Sequence, residues 1–151
     1  MSTSNATAKL DASKLIFTGT ASRRGRNISV TPANSKMAHL HYGRIILDAS
    51  EPRVAFATEA RETALLSMRG ACSVTVDGTR YDLGLHDAIY VPRGSAVVVE
   101  TAGEVDLVEC AAEVSGTYPL QVVRYAELTS NPKQVFRAGG ASTTTALPRG
   151  T

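Results

Sequence analysis

Short segments of alternating apolar and polar residues follow one another through the middle of the chain. In one of them Cys72, Val74 and Val76 alternate with polar residues, as in a strand with one buried face. Asp77 and Gly78 come next, and an Asp-Gly pair is well suited to a tight hairpin turn with positive φ angles. The same pattern predicts further strands at His39–Asp48, Thr63–Met68, Arg80–Leu83, Ala88–Val91, Ala96–Thr101, Val105–Ala111 and Leu120–Tyr125.

Helix is predicted to be minor, because no window of about 12 residues keeps a 3.6-residue period with caps. Many short strands joined by tight turns predict an all-β sandwich or small barrel. A closed arrangement also removes exposed strand edges. We therefore predict an all-β double-sheet barrel whose core includes Val74, Val76, Leu83, Ile89, Val91, Val98 and Leu107.

Length and composition indicate one globular domain with loose ends. The chain has 151 residues, 43% of them hydrophobic and 20% charged, which is typical of a folded domain. The ends are rich in Ser, Thr, Ala, Gly and Pro and show no apolar periodicity. We predict a single barrel domain over residues 14–131, with flexible tails at 1–13 and 132–151.

Charge and hydropathy exclude several classes of function. A formal charge of +2 is too small for a surface that follows nucleic acid. No apolar stretch approaches the roughly 20 residues of a membrane-spanning helix. The start of the chain lacks a basic segment followed by an apolar block, so a cytoplasmic location is expected. The two cysteines, Cys72 and Cys110, read as small buried hydrophobes.

Several charged residues have more than one reading. Arg23, Arg24 and Arg26 are interpreted as a solvated loop, with an anion site as the alternative. Arg44 and Glu109 interrupt apolar strands. They either face solvent, pair with each other, or line a pocket for a sugar acid.

A resemblance to a known family rests on an ordered set of segments. Gly84–Gly94 resembles the second cupin motif, in which a strand enters a Pro-x-Gly turn. The longer match resembles the N-terminal half of the isomerases that act on 5-keto-4-deoxyuronate or 5-deoxy-glucuronate. Its segments are His41–Ile46, Arg61–Thr63, Val74–Gly78, His86–Val91, Cys110–Ala111 and Thr117–Pro119.

The resemblance implies a cupin jelly-roll barrel and a sugar-acid aldose–ketose isomerase. It also implies that the metal ligands belong to a second, C-terminal half of the family's proteins. Where a cupin carries its first His pair, this chain has Val54–Thr58, and Ser95, Ala96 and Val97 stand where the last His is expected. No cofactor is therefore expected in this chain. A divalent metal is expected only in a partner or C-terminal half.

Two histidines offer a fallback metal site. His39 and His41 are two residues apart, and such residues project from one face of a strand. Glu62, His86 or Glu109 would have to complete the ligand set across the barrel. The alternative is that both imidazoles are ordinary strand residues.

Two classes of function remain open. The first is a component of a uronate isomerase, in which a sugar acid contacts His41, Arg44, Arg61, Tyr90 and Glu109. An arginine would hold its carboxylate in bidentate fashion and Tyr90 would bond a hydroxyl. The second is a non-catalytic cupin module for binding or assembly. A third reading, metal-free acid–base catalysis by one of these histidines with Glu62 or Glu109, has no specific support. Either main class predicts a homo-oligomer or a second cupin-containing subunit.

Overall fold

The computed structural model describes residues 11–138 and 142–145, which form twelve strands, one α-helix and one 3-10 helix. The 3-10 helix is Ala12–Lys14 and the α-helix, α1, is Tyr125–Ser130. The strands are β1 Gly25–Val30, β2 His41–Leu47, β3 Arg53–Ala57, β4 Arg61–Gly70, β5 Cys72–Val76, β6 Thr79–Leu83, β7 Ala88–Val91, β8 Ala96–Glu100, β9 Val105–Glu113, β10 Gln121–Val123, β11 Val135–Ala138 and β12 Ser142–Thr145.

Two antiparallel sheets enclose the core. The larger sheet has the order β1-β2-β9-β4-β7-β10, and the smaller has the order β3-β8-β5-β6. Residues distant in sequence therefore lie side by side, with β2 and β4 flanking β9. The predicted double-sheet, all-β architecture is confirmed.

Alternation along each strand separates an inner from an outer face. On β4, Thr63, Leu65 and Ser67 are buried, and on β9 the inner row contains Leu107 and Glu109. The inner rows of both sheets build one hydrophobic core, whose members include Ile45, Leu47, Leu65, Val74, Val91, Val97, Val99 and Leu107. Six of the seven predicted core residues are buried.

Val98 is the exception among the predicted core residues. It is half-buried on the outer side of β8, whereas Val97 and Val99 are 1% and 0% exposed. A run of three valines does not reveal which of them faces inward, because both alternatives are equally apolar.

The loop predicted around Arg23–Arg26 is shorter than expected. Gly25 and Arg26 begin β1, which pairs with β2 from Gly25 opposite Ile46 to Val30 opposite Tyr42. This strand is polar at its start, so its apolar period is too short to recognise in the sequence.

The ends of the chain are described only in part. Residues 1–10, 139–141 and 146–151 lie outside the described residues, and with them most of the predicted N-terminal tail and part of the predicted C-terminal tail. Within the predicted C-terminal tail, β11 and β12 pair antiparallel, with Val135 opposite Thr145. In the part of the chain that the structure describes, no helix is long and apolar enough to cross a membrane.

The hairpin predicted at Asp77-Gly78 is confirmed. Both residues have positive φ, 48° and 86°, and they connect β5 to β6 with Val76 opposite Thr79. The Asp77 carboxylate also accepts a hydrogen bond from the Ala96 amide at 2.8 Å, which connects the hairpin to β8. The turn thus fixes the register of the smaller sheet.

Candidate functional site

A buried ion pair lies on the inner face of the larger sheet. The Arg26 guanidinium on β1 donates two hydrogen bonds to the Glu109 carboxylate on β9, both at 2.7 Å. The Glu109 side chain is 0% exposed and that of Arg26 is 22% exposed. The geometry is bidentate, which is the strongest form of an arginine–carboxylate contact.

The same guanidinium stacks on an aromatic ring of the opposite sheet. The Arg26 Cζ atom lies 4.0 Å from the centre of the Phe56 ring, within the range of a cation–π interaction. Phe56 on β3 is opposite Val97 on β8. Arg26 therefore connects both sheets, through Glu109 on one side and Phe56 on the other.

This cluster, Arg26, Glu109 and Phe56, lies beside the segments where a cupin would carry its metal ligands. Phe56 belongs to the segment expected to hold the first His pair, and Val97 to the segment expected to hold the last His. An aromatic ring, a valine and a carboxylate already bonded to arginine do not suit a divalent metal. The residues present at this position do not fit a metal ion.

The expectation that Glu109 faces solvent is wrong, and so is its expected pairing with Arg44. Glu109 pairs with Arg26, while Arg44 donates to the Asp106 carboxylate through Nε at 2.9 Å and through a terminal nitrogen. Hydrogen bonding to Asp106 raises the pKa of Arg44 above its ordinary value. The two residues have opposite parity in their strands, so they lie on opposite faces of the sheet.

Arg26 departs from the prediction of a solvated loop, whereas Arg24 lies in the loop and its side chain is 49% exposed. Arg24 pairs with Asp48, and Arg26 is the interior cation described above. Arg23 is exposed, as predicted. Sequence reasoning missed Arg26 because its partner lies 83 residues away and its neighbours are polar.

Tyr90 lies on the outer face of the larger sheet. Its hydroxyl donates to the Glu62 carboxylate at 3.0 Å. Desolvation and this neighbouring carboxylate raise the pKa of Tyr90 to about 12. Tyr90 and Arg44 thus lie on the other side of the sheet from Glu109, and the five predicted substrate contacts do not line one pocket.

The two histidines open onto a cleft at one end of the barrel. The cleft has a volume of about 280 Å³ and is lined by Thr31, Pro32, Ala33, Ala38, His39, His41 and Glu113. His41 begins β2, opposite Ala111, whereas His39 precedes the strand and is exposed. The buried Nδ1 atom of His41 has no hydrogen-bond partner in the described chain. Glu113 was not foreseen, although it continues the inner row of Leu107 and Glu109.

Arg61 lies near the same end of the barrel. It is opposite Glu113 in the pairing of β4 with β9, and its side chain is 28% exposed. A terminal nitrogen lies 3.6 Å from the carboxylate of Glu59, which is itself 73% exposed. Of the five predicted substrate contacts, His41 and Arg61 are therefore the two on the inner face that remain accessible.

The carboxylates and histidine named as completing a metal site lie elsewhere. Glu62 bonds Tyr90, Glu109 bonds Arg26, and the His86 ring packs edge-to-face on Tyr125 at 5.0 Å between ring centres. Among the described residues, no group of three or more His, Cys, Asp or Glu side chains is arranged to hold a metal. Glu62, Glu109 and His86 therefore do not complete a ligand set with His39 and His41.

Comparison with known proteins gives both a family and a fold. The sequence model of the KduI/IolB family matches residues 15–133. A 4-deoxy-L-threo-5-hexosulose-uronate ketol-isomerase of Formosa agariphila is 36% identical in an alignment of 76 residues that covers 42% of this chain and 27% of that protein. The matched segment thus spans about a quarter of the length of this curated relative.

Two solved structures show the fold. An IolB-like protein from Salmonella typhimurium superposes with a TM-score of 0.63 at 19% identity, over 80% of this chain and 48% of that chain. A cupin protein from Bacteroides fragilis superposes with a TM-score of 0.50 at 12% identity, over 62% of this chain and 87% of that chain. The predicted cupin barrel is confirmed.

Proposed function

The chain belongs to the KduI/IolB family, and we propose that it is one barrel of a sugar-acid aldose–ketose isomerase whose metal-bearing cupin half lies elsewhere. Family membership and the ketol-isomerase activity named for its relative support this class of reaction. One observation supports placing the metal in another half and not in this barrel. The barrel interior, where a cupin metal would lie, is filled by the Arg26–Glu109 pair stacked on Phe56.

This interior cluster gives the barrel a structural role. A buried charge is costly unless it is paired, and the bidentate contact with Arg26 satisfies both oxygens of Glu109. The pair joins the edge strand β1 to the central strand β9, and the ring of Phe56 covers the guanidinium from the smaller sheet. These contacts hold the two sheets of the barrel together.

Any contact of this chain with the sugar acid is proposed to involve His41 and Arg61. Arg61 offers a guanidinium fork for a carboxylate, and His41 offers an imidazole at the cleft. Aldose–ketose isomerisation moves a proton between adjacent carbons, and an acid or base must be positioned for that transfer. In this proposal the chain orients the substrate, and the proton transfer takes place on the other half.

A non-catalytic cupin module is the second candidate. The same closed interior favours it, because a barrel filled by its own side chains has little room for a substrate at its centre. The two candidates differ in whether adding this chain to a metal-bearing half changes the rate of isomerisation.

The test measures isomerisation of 4-deoxy-L-threo-5-hexosulose-uronate by three samples. They are this chain, the C-terminal part of the Formosa agariphila relative, and their mixture or fusion, each shown to be folded by circular dichroism. We expect no turnover by this chain alone and a faster rate for the combination than for the C-terminal part alone. His41→Ala and Arg61→Ala should lower that gain, whereas Arg53→Ala, on an exposed ion pair, should not.

Two outcomes would contradict the proposal. If this chain alone isomerises the substrate and loses the activity in EDTA, the metal site lies within it. If the combination forms a complex without any gain in rate, the chain is a non-catalytic module.

A further inference from the structure

A polar cleft lies along β1, the edge strand of the larger sheet. β1 pairs with β2 on one side, and residues 18–22 of the chain pass its other side. Within the described residues, no backbone hydrogen bond joins that segment to β1. The space between them has a volume of about 550 Å³, which is within the range of small-molecule sites. We call this space the β1 cleft, and its lining residues lie between positions 18 and 29.

The charged side chains that line the β1 cleft are cations. They are the guanidinium groups of Arg23 and Arg26, and the lining includes no carboxylate. Arg23 is exposed and takes part in none of the ion pairs among the described residues. Two carboxylates lie near the start of β1 but outside this lining, Asp48, which bonds Arg24, and Glu51. The charge of Arg23 is therefore available to an anionic ligand.

Arg26 connects the barrel interior to the β1 cleft. Its guanidinium has five N–H donors, and Glu109 accepts hydrogen bonds from two of its nitrogens. The side chain is 22% exposed and lines the cleft, so its remaining donors can reach a ligand there. Because Glu109 and the Phe56 ring fix the guanidinium, little side-chain freedom is lost when a ligand binds to it.

Hydroxyl groups make up most of the remaining polar lining. They belong to Thr18, Thr20, Ser22 and Ser29. The Ser22 hydroxyl donates to the Gly19 carbonyl at 2.6 Å, whereas the other three hydroxyls bond no other group of the described residues. A hydroxyl can both donate and accept a hydrogen bond, so this set matches a ligand that itself carries several hydroxyl groups.

The wall that carries Arg23 is attached to β1 by one side chain. Asn27 on β1 donates through Nδ2 to the carbonyl oxygen of Arg24 at 2.9 Å and to that of Arg23 at 3.4 Å. These bonds hold the backbone that precedes β1 in a fixed turn. A site that is formed before its ligand arrives loses less free energy in ordering its loops.

We propose that the β1 cleft binds a monosaccharide that carries an oxyanion, as a sugar acid or a sugar phosphate does. The guanidinium of Arg23 binds the oxyanion, since its planar fork fits carboxylate and phosphate oxygens alike. The hydroxyl lining contacts the hydroxyl groups of the sugar. No residue lines both this cleft and the cleft at His41, so the inference goes beyond the proposed function and does not depend on it.

Isothermal titration calorimetry of the full chain tests the proposal with D-glucuronate, D-glucose 6-phosphate, inorganic phosphate and D-glucose. We expect saturable binding of at least one of the two charged sugars at millimolar concentration. The dissociation constants of D-glucose, which lacks the charge, and of inorganic phosphate, which lacks the sugar hydroxyls, should be at least about fivefold higher. The two charged sugars together show whether the cleft prefers a carboxylate or a phosphate.

Three variants locate the binding site. Arg23→Gln removes an exposed charge and no core packing, and it should raise the dissociation constant of the charged sugar at least about fivefold. Arg69→Gln is the matched control, because Arg69 is also exposed but lies on β4, which two strands separate from β1, and it should leave the affinity unchanged. Thr20→Val removes one hydroxyl with little change in volume, so it should weaken binding of the charged sugar but not of inorganic phosphate.

Each of the opposite results would overturn the proposal. No binding of either charged sugar at millimolar concentration, or equal affinity for D-glucose, would show that the cleft does not recognise an oxyanion on a sugar. Equal affinity for inorganic phosphate, or no effect of Thr20→Val, would show that only the anion is recognised. An unchanged affinity in Arg23→Gln, or an equal loss in Arg69→Gln, would place the binding elsewhere. None of these results bears on the isomerase assay, which depends on His41 and Arg61, so the two proposals fail independently.

Discussion

Glu109 shows how one residue decides what the interior of this barrel can do. A carboxylate that is 0% exposed is costly unless it is paired, and its two oxygens accept both bonds from Arg26. A carboxylate held in this way is not free to bind a metal. Both residues therefore have a structural role in the barrel interior.

Loss of one partner of this pair should be much more harmful than loss of both. We expect Arg26→Met to lower the free energy of unfolding by about 3 kcal/mol, because Glu109 is then buried without a counter-charge. The double variant Arg26→Met, Glu109→Leu should recover most of that loss, since no charge remains inside. Urea denaturation followed by circular dichroism measures all three proteins.

An exposed ion pair is the control for this prediction. Arg53 and Glu100 are 55% and 46% exposed, and Arg53→Met should cost less than about 1 kcal/mol. Equal losses in Arg26→Met and Arg53→Met, or a double variant weaker than the single one, would contradict the buried-pair account.

At the scale of elements, the turn and strand pattern was largely readable from the sequence. β5 and its Asp77-Gly78 turn follow from strict alternation and one dipeptide, and β7 was predicted with its observed bounds. β1 was not predicted, because its first residues are polar and its alternation of apolar and polar residues is too short to recognise. Tertiary pairing with β2 makes it a strand.

The candidate site was less readable, for a physical reason. Alternation along a strand shows which residues share a face, but it does not show which side chains of other strands they meet. Those strands are distant in sequence, and their register is known only from the fold. His41, Arg61 and Glu109 share the inner face, while Arg44 and Tyr90 lie outside it. Nothing near Glu109 in the sequence points to Arg26 or Phe56, which meet it only in the folded sheet.

Gly70, the last residue of β4, provides a test at the scale of elements. Gly70 has φ +74°, and a Cβ atom there would lie 1.9 Å from the backbone oxygen of Glu104. Gly94 has nearly the same φ, +76°, with nothing within 4 Å of such an atom. We expect Gly70→Ala to lower the melting temperature clearly more than Gly94→Ala, because only the former adds a backbone clash to the cost of positive φ.

Calorimetry of the two variants separates these contributions. Gly94→Ala reports the cost of the backbone conformation alone, and the difference between the variants reports the close approach of β4 to Glu104. Equal melting temperatures would contradict this prediction, because they would show that the backbone at Glu104 shifts and relieves the clash at little cost.

At the scale of the whole molecule, the barrel is a cupin whose usual metal position holds a side-chain cluster. It belongs to the KduI/IolB family, and a relative that it matches in part is a ketol-isomerase. Its own interior is filled by side chains that bond one another. The family membership and the filled interior are consistent with each other if the metal and the proton transfer belong to another cupin half.

The metal content of the purified chain tests this central claim most directly. After incubation with Mn²⁺, Fe²⁺, Ni²⁺ or Zn²⁺ and desalting, elemental analysis should find well under one metal ion per chain. His41→Ala should not change that value. One tightly bound ion per chain, lost in both His39→Ala and His41→Ala with the fold intact, would place a metal centre in this barrel and contradict the account.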